Sequence, residues 1–160
     1  MSLKTWKEEF YPIPADEVKK KDALAHSLRK WEGLRKAQLD KHGLVRRRCE
    51  IAEDDSFFVP HLAIAAETCA LCVLAEKESD VNTRVPCASS YYCGKCPLYK
   101  LEGKACDYGK NDPYGIFTGE GNPEPMIFLI TRAIEEKAKV SEKRRMARRV
   151  KKTLDIPEKM

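Results

Sequence analysis

Cysteine is the residue whose type and spacing in this chain most directly suggest chemistry. The sequence of 160 residues holds seven, and six of them lie between residues 69 and 106. They run C-x2-C (Cys69, Cys72), Cys87, C-x2-C (Cys93, Cys96) and Cys106, with fourteen, five and nine residues between these groups. A two-residue gap lets two thiolates bend onto one ion at about 2.3 Å, and two such pairs close a tetrahedron. Cys69, Cys72, Cys93 and Cys96 give C-x2-C-x20-C-x2-C, at the upper edge of structural-zinc spacing. In Cys93-Gly94-Lys95-Cys96, Gly94 permits a tight turn and Lys95 offsets thiolate charge. Four cysteine ligands leave no open coordination position, so such a site builds structure and does not catalyse. Zinc would supply on the order of 10 kcal/mol of binding energy to a segment too loop-rich to fold alone.

The remaining pair, Cys87 and Cys106, keeps the ligand set open, because either can replace one of the four. Cys87, Cys93, Cys96 and Cys106 form C-x5-C-x2-C-x9-C, which also suits an iron–sulfur cluster held by four thiolates. Its spacing loosely resembles that of clusters in some DNA-repair enzymes and nucleases. Redox-active thiols and plain buried side chains are the other readings, behind zinc. A disulfide framework fits poorly with an odd count. It also fits poorly with MSLKTWKEEFYPIP, which lacks the apolar run of a signal peptide, so the expected compartment is the reducing cytoplasm. Cys49 stands apart and reads as a small buried side chain. His26, His42 and His61 read as surface or capping residues rather than ligands.

A second chemical feature lies near the C-terminus. Residues 137–152 hold nine Lys or Arg and one acid, Glu142, while residues 1–136 sum to −2. The chain is thus a slightly acidic body with a basic arm. Arg144, Arg145, Arg148, Arg149, Lys151 and Lys152 would attract phosphates, and each contact would release counterions. Nucleic acid, an acidic protein or a small phosphorylated ligand are the partners this chemistry allows. A solvated helix end is the plainer alternative, since basic residues also suit a helix C-terminus. Membranes are not expected: no stretch approaches 18 apolar residues, and the arm has no large apolar face beside its charges. Nothing resembles a Walker A loop, G-x-G-x-x-G, G-x-S-x-G, H-E-x-x-H or the deaminase H-x-E…P-C-x-x-C, so the sequence offers no support for an enzyme.

These residues need elements to position them. The apolar fraction of 42% suffices for one core. Residues 1–13 look irregular, with Trp6, Phe10 and Tyr11 folding back on the body. Pro14 is placed to open a helix, with Asp16 and Glu17 near its positive end. Leu24, Leu28, Trp31 and Leu34 make one apolar face, and Lys19, Lys20, Lys21, Arg29, Lys30, Arg35 and Lys36 mostly fill the others. Gly33 weakens this helix and His42-Gly43 stops it. Residues 44–60 read as a strand or a turn followed by a loop. Residues 61–78, rich in Ala and Leu, read as helical through much of their length, with Cys69 and Cys72 one turn apart. Pro97 opens a short helix ended by Gly103. Residues 108–125 are dense in Gly, Pro and Asn and read as turns. A last helix starts near Pro125, with Ile127, Ile130, Ile134 and Ala138 as its stripe. Its first half packs and its second half projects.

With these pieces in view, the chain resembles a group of small cysteine-rich proteins encoded by phages and prophages, of uncharacterised function. The resemblance rests on Ser27-Leu28-Arg29-Lys30-Trp31-Glu32 in the first helix. It rests also on Cys69-Ala70-Leu71-Cys72, Cys93-Gly94-Lys95-Cys96-Pro97-Leu98 and Gly103-Lys104-Ala105-Cys106. Asp112-Pro113-Tyr114 and Pro123-Glu124-Pro125-Met126 complete it, over roughly residues 20 to 140. It implies a metal-stapled α-rich domain at work in an infected cell. It implies that Cys69, Cys72, Cys93, Cys96 and Cys106 are the shared cysteines, which puts Cys87 in doubt as a ligand. The longer 44–66 segment and the basic arm depart from the pattern.

The expected fold is mainly α: a small zinc-stapled domain over residues 1–136, with an irregular cysteine-rich centre, and a long basic C-terminal helix extending it over 137–160. The expected function is a non-enzymatic, zinc-stabilised binding protein, a phage accessory factor that engages nucleic acid or an acidic host protein. Two alternatives stand beside it. One is an oligomeric sponge that holds a nucleotide-like molecule against Arg46, Arg47 and Arg48. The other is an iron–sulfur or thiol-dependent enzyme acting on nucleic acid.

Overall fold

A computed structural model describes residues 2–56, 58–79, 93–106 and 112–154, the last four of them without side chains. Cys87 lies outside these residues. Seven α-helices and one three-stranded sheet are present among the described residues, so the fold is mainly helical.

The chain opens with a helix. α1 (Leu3–Phe10) buries Leu3, Trp6 and Phe10 on one side, at spacings of three and four. Trp6 Nε1 donates to the Gly33 carbonyl at 2.8 Å. Residues 14–22 form turns, and α2 (Ala23–Gly33) starts nine residues after Pro14. The expected start at Pro14 is corrected here: three lysines in a row, Lys19 to Lys21, stay exposed and offer no face to bury. The expected apolar face holds, with Leu24, Trp31 and Leu34 buried and Leu28 partly so. Gly33 does end this helix. A Cβ there would lie 2.4 Å from the Phe10 ring, so α1 and α2 approach through the missing side chain. α3 (Lys36–His42) follows, and Gly43 closes it with φ +65°.

The segment after Gly43 forms a meander rather than helix or loop alone. β1 (Val45–Arg47), β2 (Glu50–Ala52) and β3 (His61–Ala63) pair antiparallel, with Val45 opposite Ala52 and Ile51 opposite Leu62. Each strand has three residues, too few for alternation to show in the sequence. Ile51 is fully buried, and Cys49 is exposed rather than in the core. Arg46 and Arg47 are engaged locally. Arg46 donates to the carbonyls of Arg48, Phe117 and Thr118, while Arg47 donates to Ser56 and pairs with Glu50.

The second half supplies the platform. Residues 66–68 make one 3-10 turn before α4 (Ala70–Lys77). Helix therefore covers only part of residues 61–78, because His61–Ala63 is taken by the sheet. α5 (Pro97–Glu102) is short, with Pro97 in its first turn and Gly103 (φ +71°) as its stop. α6 (Pro113–Glu120) occupies a stretch expected to be turns. Asp112 caps it by accepting from the Gly115 amide, and Pro113 sits in its first turn. Phe117 of α6 stands edge-on to Trp31 of α2, centroids 5.0 Å apart. α7 (Glu124–Leu154) runs for 31 residues. Its start is tied by a forked pair, Arg35 Nε and Nη2 to the Glu124 carboxylate at 2.7 and 3.1 Å. Met126, Ile127, Leu129, Ile130 and Ala133 are buried, and every residue from Glu135 to Val150 is exposed. The first part of α7 packs and the second projects, as expected, but the buried stripe ends at Ile134: Ala138, its expected last residue, is exposed.

Candidate metal centre

α4 places the first cysteine pair. Cys69 is the N-cap of this helix, and Cys72 lies in its first turn. The second pair flanks the 3-10 turn Cys93–Lys95, closed by the Cys96 amide donating to the Cys93 carbonyl at 2.8 Å. Cys96 is in turn the N-cap of α5. Both pairs therefore present sulfur at the start of a helix. Cys106 is fixed by its carbonyl, which accepts the Tyr114 amide at 3.0 Å, while the Tyr114 hydroxyl donates to Ile64.

These segments converge. Cys72, Cys93, Cys96 and Cys106 line one cavity of about 10 Å³. An adjoining cavity of about 260 Å³ is bordered by Cys69, Cys72, Cys93 and Cys106 together with Lys30. The five cysteines thus stand around one locus, drawn from three segments of the chain. Cys49, Cys69, Cys72 and Cys96 are thiols outside any disulfide. As they stand, no three Cys, His, Asp or Glu side chains among the described residues are arranged to hold an ion. What is present is a gathering of sulfur donors, not a formed coordination cage.

The electrostatics of the gathering are uneven. The Cys69 thiol is drawn down to about 5 by the hydrogen bond from Cys72, against the opposing effect of burial. The charge of Lys30 and the amides of Cys72 and Leu71 add to the lowering. Cys72, the donor in that bond, is pushed up, and burial and the nearby sulfurs push it further. Burial pushes Cys96 up to about 11.

Lys30 was expected on a solvated face. It is instead 2% exposed, and its ammonium donates to the Thr68 carbonyl at 2.7 Å and to Thr68 Oγ1 at 3.1 Å. Thr68 immediately precedes Cys69, so the lysine holds the turn that delivers the first thiol. Burial lowers the Lys30 pKa, while Cys69, Cys72 and Glu67 oppose that lowering. The sequence did carry a signal for it. Ala23, Ser27, Lys30 and Leu34 recur at four, three and four, a second buried stripe beside the leucines.

The histidines take no part. His42, expected at the surface or as a cap, is in the last turn of α3 but buried, and bonds Thr5 Oγ1 at 2.9 Å and Glu9 at 3.0 Å. His26 reaches the Ile13 carbonyl, and His61 is exposed on β3.

The basic residues are placed by α7. Arg144, Arg145, Arg148 and Arg149 are all exposed, and the first three border a groove between the projecting helix and the platform. Lys151 and Lys152 belong to the helix, with side chains outside the described part. No described helix is long and apolar enough to cross a membrane. No family model matches the chain, nor does any curated protein or solved structure.

Proposed function

We propose that the protein is a non-catalytic binding protein, in which a structural zinc–thiolate centre fastens the α4–α5 platform and the basic half of α7 engages an anionic macromolecule. The observation that carries the reading is the convergence of Cys69, Cys72, Cys93, Cys96 and Cys106 beside the buried Lys30. An all-sulfur donor set suits zinc, and four thiolates on one zinc leave a net charge of about −2. A buried ammonium bordering the same locus would offset part of that charge, in addition to holding Thr68. Four of the five cysteines would be ligands, and Cys87 is the substitute. The phage setting rests on the resemblance alone.

A second reading has its own observation. Cys69-Ala70-Leu71-Cys72 is a C-x-x-C at a helix start, its first thiol held low and its second high. That pattern suits a redox dithiol. The sponge alternative has less behind it, since Arg46 and Arg47 are already engaged.

Native mass spectrometry of protein purified without chelator or oxygen separates these. One zinc per chain, lost on Cys→Ser substitution of ligands, is the expected result. A zinc-free chain that oxidises reversibly between Cys69 and Cys72 would place the dithiol reading first. Charge reversal of Arg144, Arg145, Arg148 and Arg149 should abolish retention on an anionic polymer with the melting curve preserved. Retention unchanged in that variant would sink the role of the arm.

A further inference from the structure

We infer that the groove between the basic half of α7 and the platform is the docking site of an acidic amphipathic helix from a partner protein, an inference that rests on the binding-protein reading above. The groove has a volume of about 880 Å³. Its body wall carries Lys20, Lys95 and Lys100, and its arm wall carries Arg144, Arg145 and Arg148. Two acids border it, and each already has a lysine partner: Glu78 with Lys20 at 2.6 Å and Glu136 with Lys139 at 2.7 Å. With Lys20 taken by Glu78, the field is still positive from both sides, from Lys95 and Lys100 on the body and the three arginines on the arm, which draws an anionic occupant.

The floor decides what kind of anion fits. Its apolar lining includes Leu74 and Leu101 from the body, partly buried, and Val140 from the arm, 46% exposed. No aromatic side chain lines the groove among the described residues. Single-stranded nucleic acid binds through stacking on aromatic rings as well as charge, and the described lining of the groove offers charge and aliphatic side chains instead. A duplex presents phosphates to a surface and has no use for a strip of leucine and valine. An amphipathic helix meets both demands, with apolar residues at i, i+3, i+4 and i+7 on the floor and carboxylates against the two basic walls. Because charge lines both walls, a partner with acids on only one side would leave one wall unanswered.

The test uses the full chain and three fluorescent probes of matched net charge. The first is a leucine–glutamate peptide of about 18 residues, roughly five helical turns, with its leucines at i, i+3, i+4 and i+7. The second is the same composition scrambled to remove the apolar face, and the third is a single-stranded oligonucleotide. The patterned peptide should bind about tenfold or more tighter than the scrambled one. Val140→Asn, which removes the apolar contact without adding charge, should remove most of that advantage while leaving the melting curve and oligonucleotide binding near wild type. Equal binding of the two peptides, or an advantage that survives Val140→Asn, overturns the inference. If the oligonucleotide binds through the arginines and outcompetes the patterned peptide, the inference also fails, but the binding-protein reading stands. If no probe binds, or charge reversal at the four arginines changes nothing, both fail together.

Discussion

The cysteine locus and the basic arm handle charge in opposite ways, although one helix serves both. At the locus a single ammonium, Lys30, is taken out of water and held by Thr68 beside the sulfurs. Along the arm, charge is plentiful and stays in water, every side chain from Glu135 to Val150 being exposed. Burial makes each interaction at the locus costly to remove, because a stranded polar group cannot turn to solvent. Exposure makes each charge on the arm nearly free to change, because water and salt already screen it. α7 crosses from one regime to the other within two turns, between Ile130, fully buried, and Glu136, exposed on the arm. A helix so divided fits a part that is fastened at one end and presented at the other. The comparison can be broken if changes at the locus prove mild, or if changes on the arm prove destabilising.

The largest effect is expected from Cys72→Ser. Cys72 borders both cavities, as Cys93 and Cys106 do, and it also donates to Cys69, so its loss reaches every part of the locus. If the locus holds zinc, the variant should lose the ion and a stability of several kcal/mol, on the order of a structural site's share of folding. Hydrogen exchange checks this: amides of α4 and α5 should lose protection while those of α1 and α3 keep it. Uniform protection with zinc retained would count against Cys72 as a ligand.

Lys30→Met comes next and is the sharper experiment. Methionine keeps much of the stem's volume, so the change isolates the ammonium. Removing it leaves the Thr68 carbonyl without its donor, a charge-assisted bond whose loss costs about 1.5–3 kcal/mol. The zinc-loaded protein should suffer more than the chelator-treated one, because four ligand thiolates on zinc leave a net charge of about −2 beside Lys30, whereas the metal-free locus holds only the Cys69 thiolate. Melting curves of both forms, with and without the substitution, give the difference directly. Equal losses in the two forms would mean that Lys30 serves Thr68 alone.

Much of the helical frame was legible because periodicity reports burial. Leu24, Leu28, Trp31 and Leu34 gave one face of α2, and Pro97 with Gly103 bracketed α5. The misses have physical causes. α1 is eight residues long, and its polar face, Lys4, Lys7 and Glu8, masks a stripe of three large apolar residues. The meander has three-residue strands held by register rather than pattern. α6 hides among Gly and Pro, because Asp112 and Pro113 act there as cap and first turn rather than as breakers. At the locus, the five cysteines could be singled out by spacing, but Lys30 could not be paired with them. Thirty-eight residues separate it from Thr68, and only the packing of α2 on α4 brings the two together.

Gly33→Ala tests a third place, the α1–α2 contact, one turn of α2 beyond Lys30. Its new Cβ would meet the Phe10 ring at 2.4 Å, and the Trp6 bond to the Gly33 carbonyl leaves α1 little room to shift. Overpacking of this kind costs about 1–3 kcal/mol, readable in a urea titration. Zinc content and anion binding should both be unchanged, since α1 borders neither the sulfur cavities nor the groove. A change in either would show that the α1–α2 contact sets the position of the platform.

The smallest effect on stability belongs to the arm. Reversing Arg144, Arg145, Arg148 and Arg149 to Glu places acids near the C-terminal half of a helix, where the macrodipole disfavours them by about 0.3–1 kcal/mol per charge within the last turn and by less further in. All four positions lie beyond the buried part of α7, so fraying there is not passed to Ile130 and Ala133. The body's midpoint in denaturant should stay within about 0.5 kcal/mol of wild type. Far-ultraviolet circular dichroism should show at most a modest loss of helix, confined to the arm. A cooperative loss of several kcal/mol would mean that the arm is packed into the fold. The division of α7 into a fastened and a presented half would then be wrong, and the groove beside it would be part of the core's support rather than a surface held open for a partner.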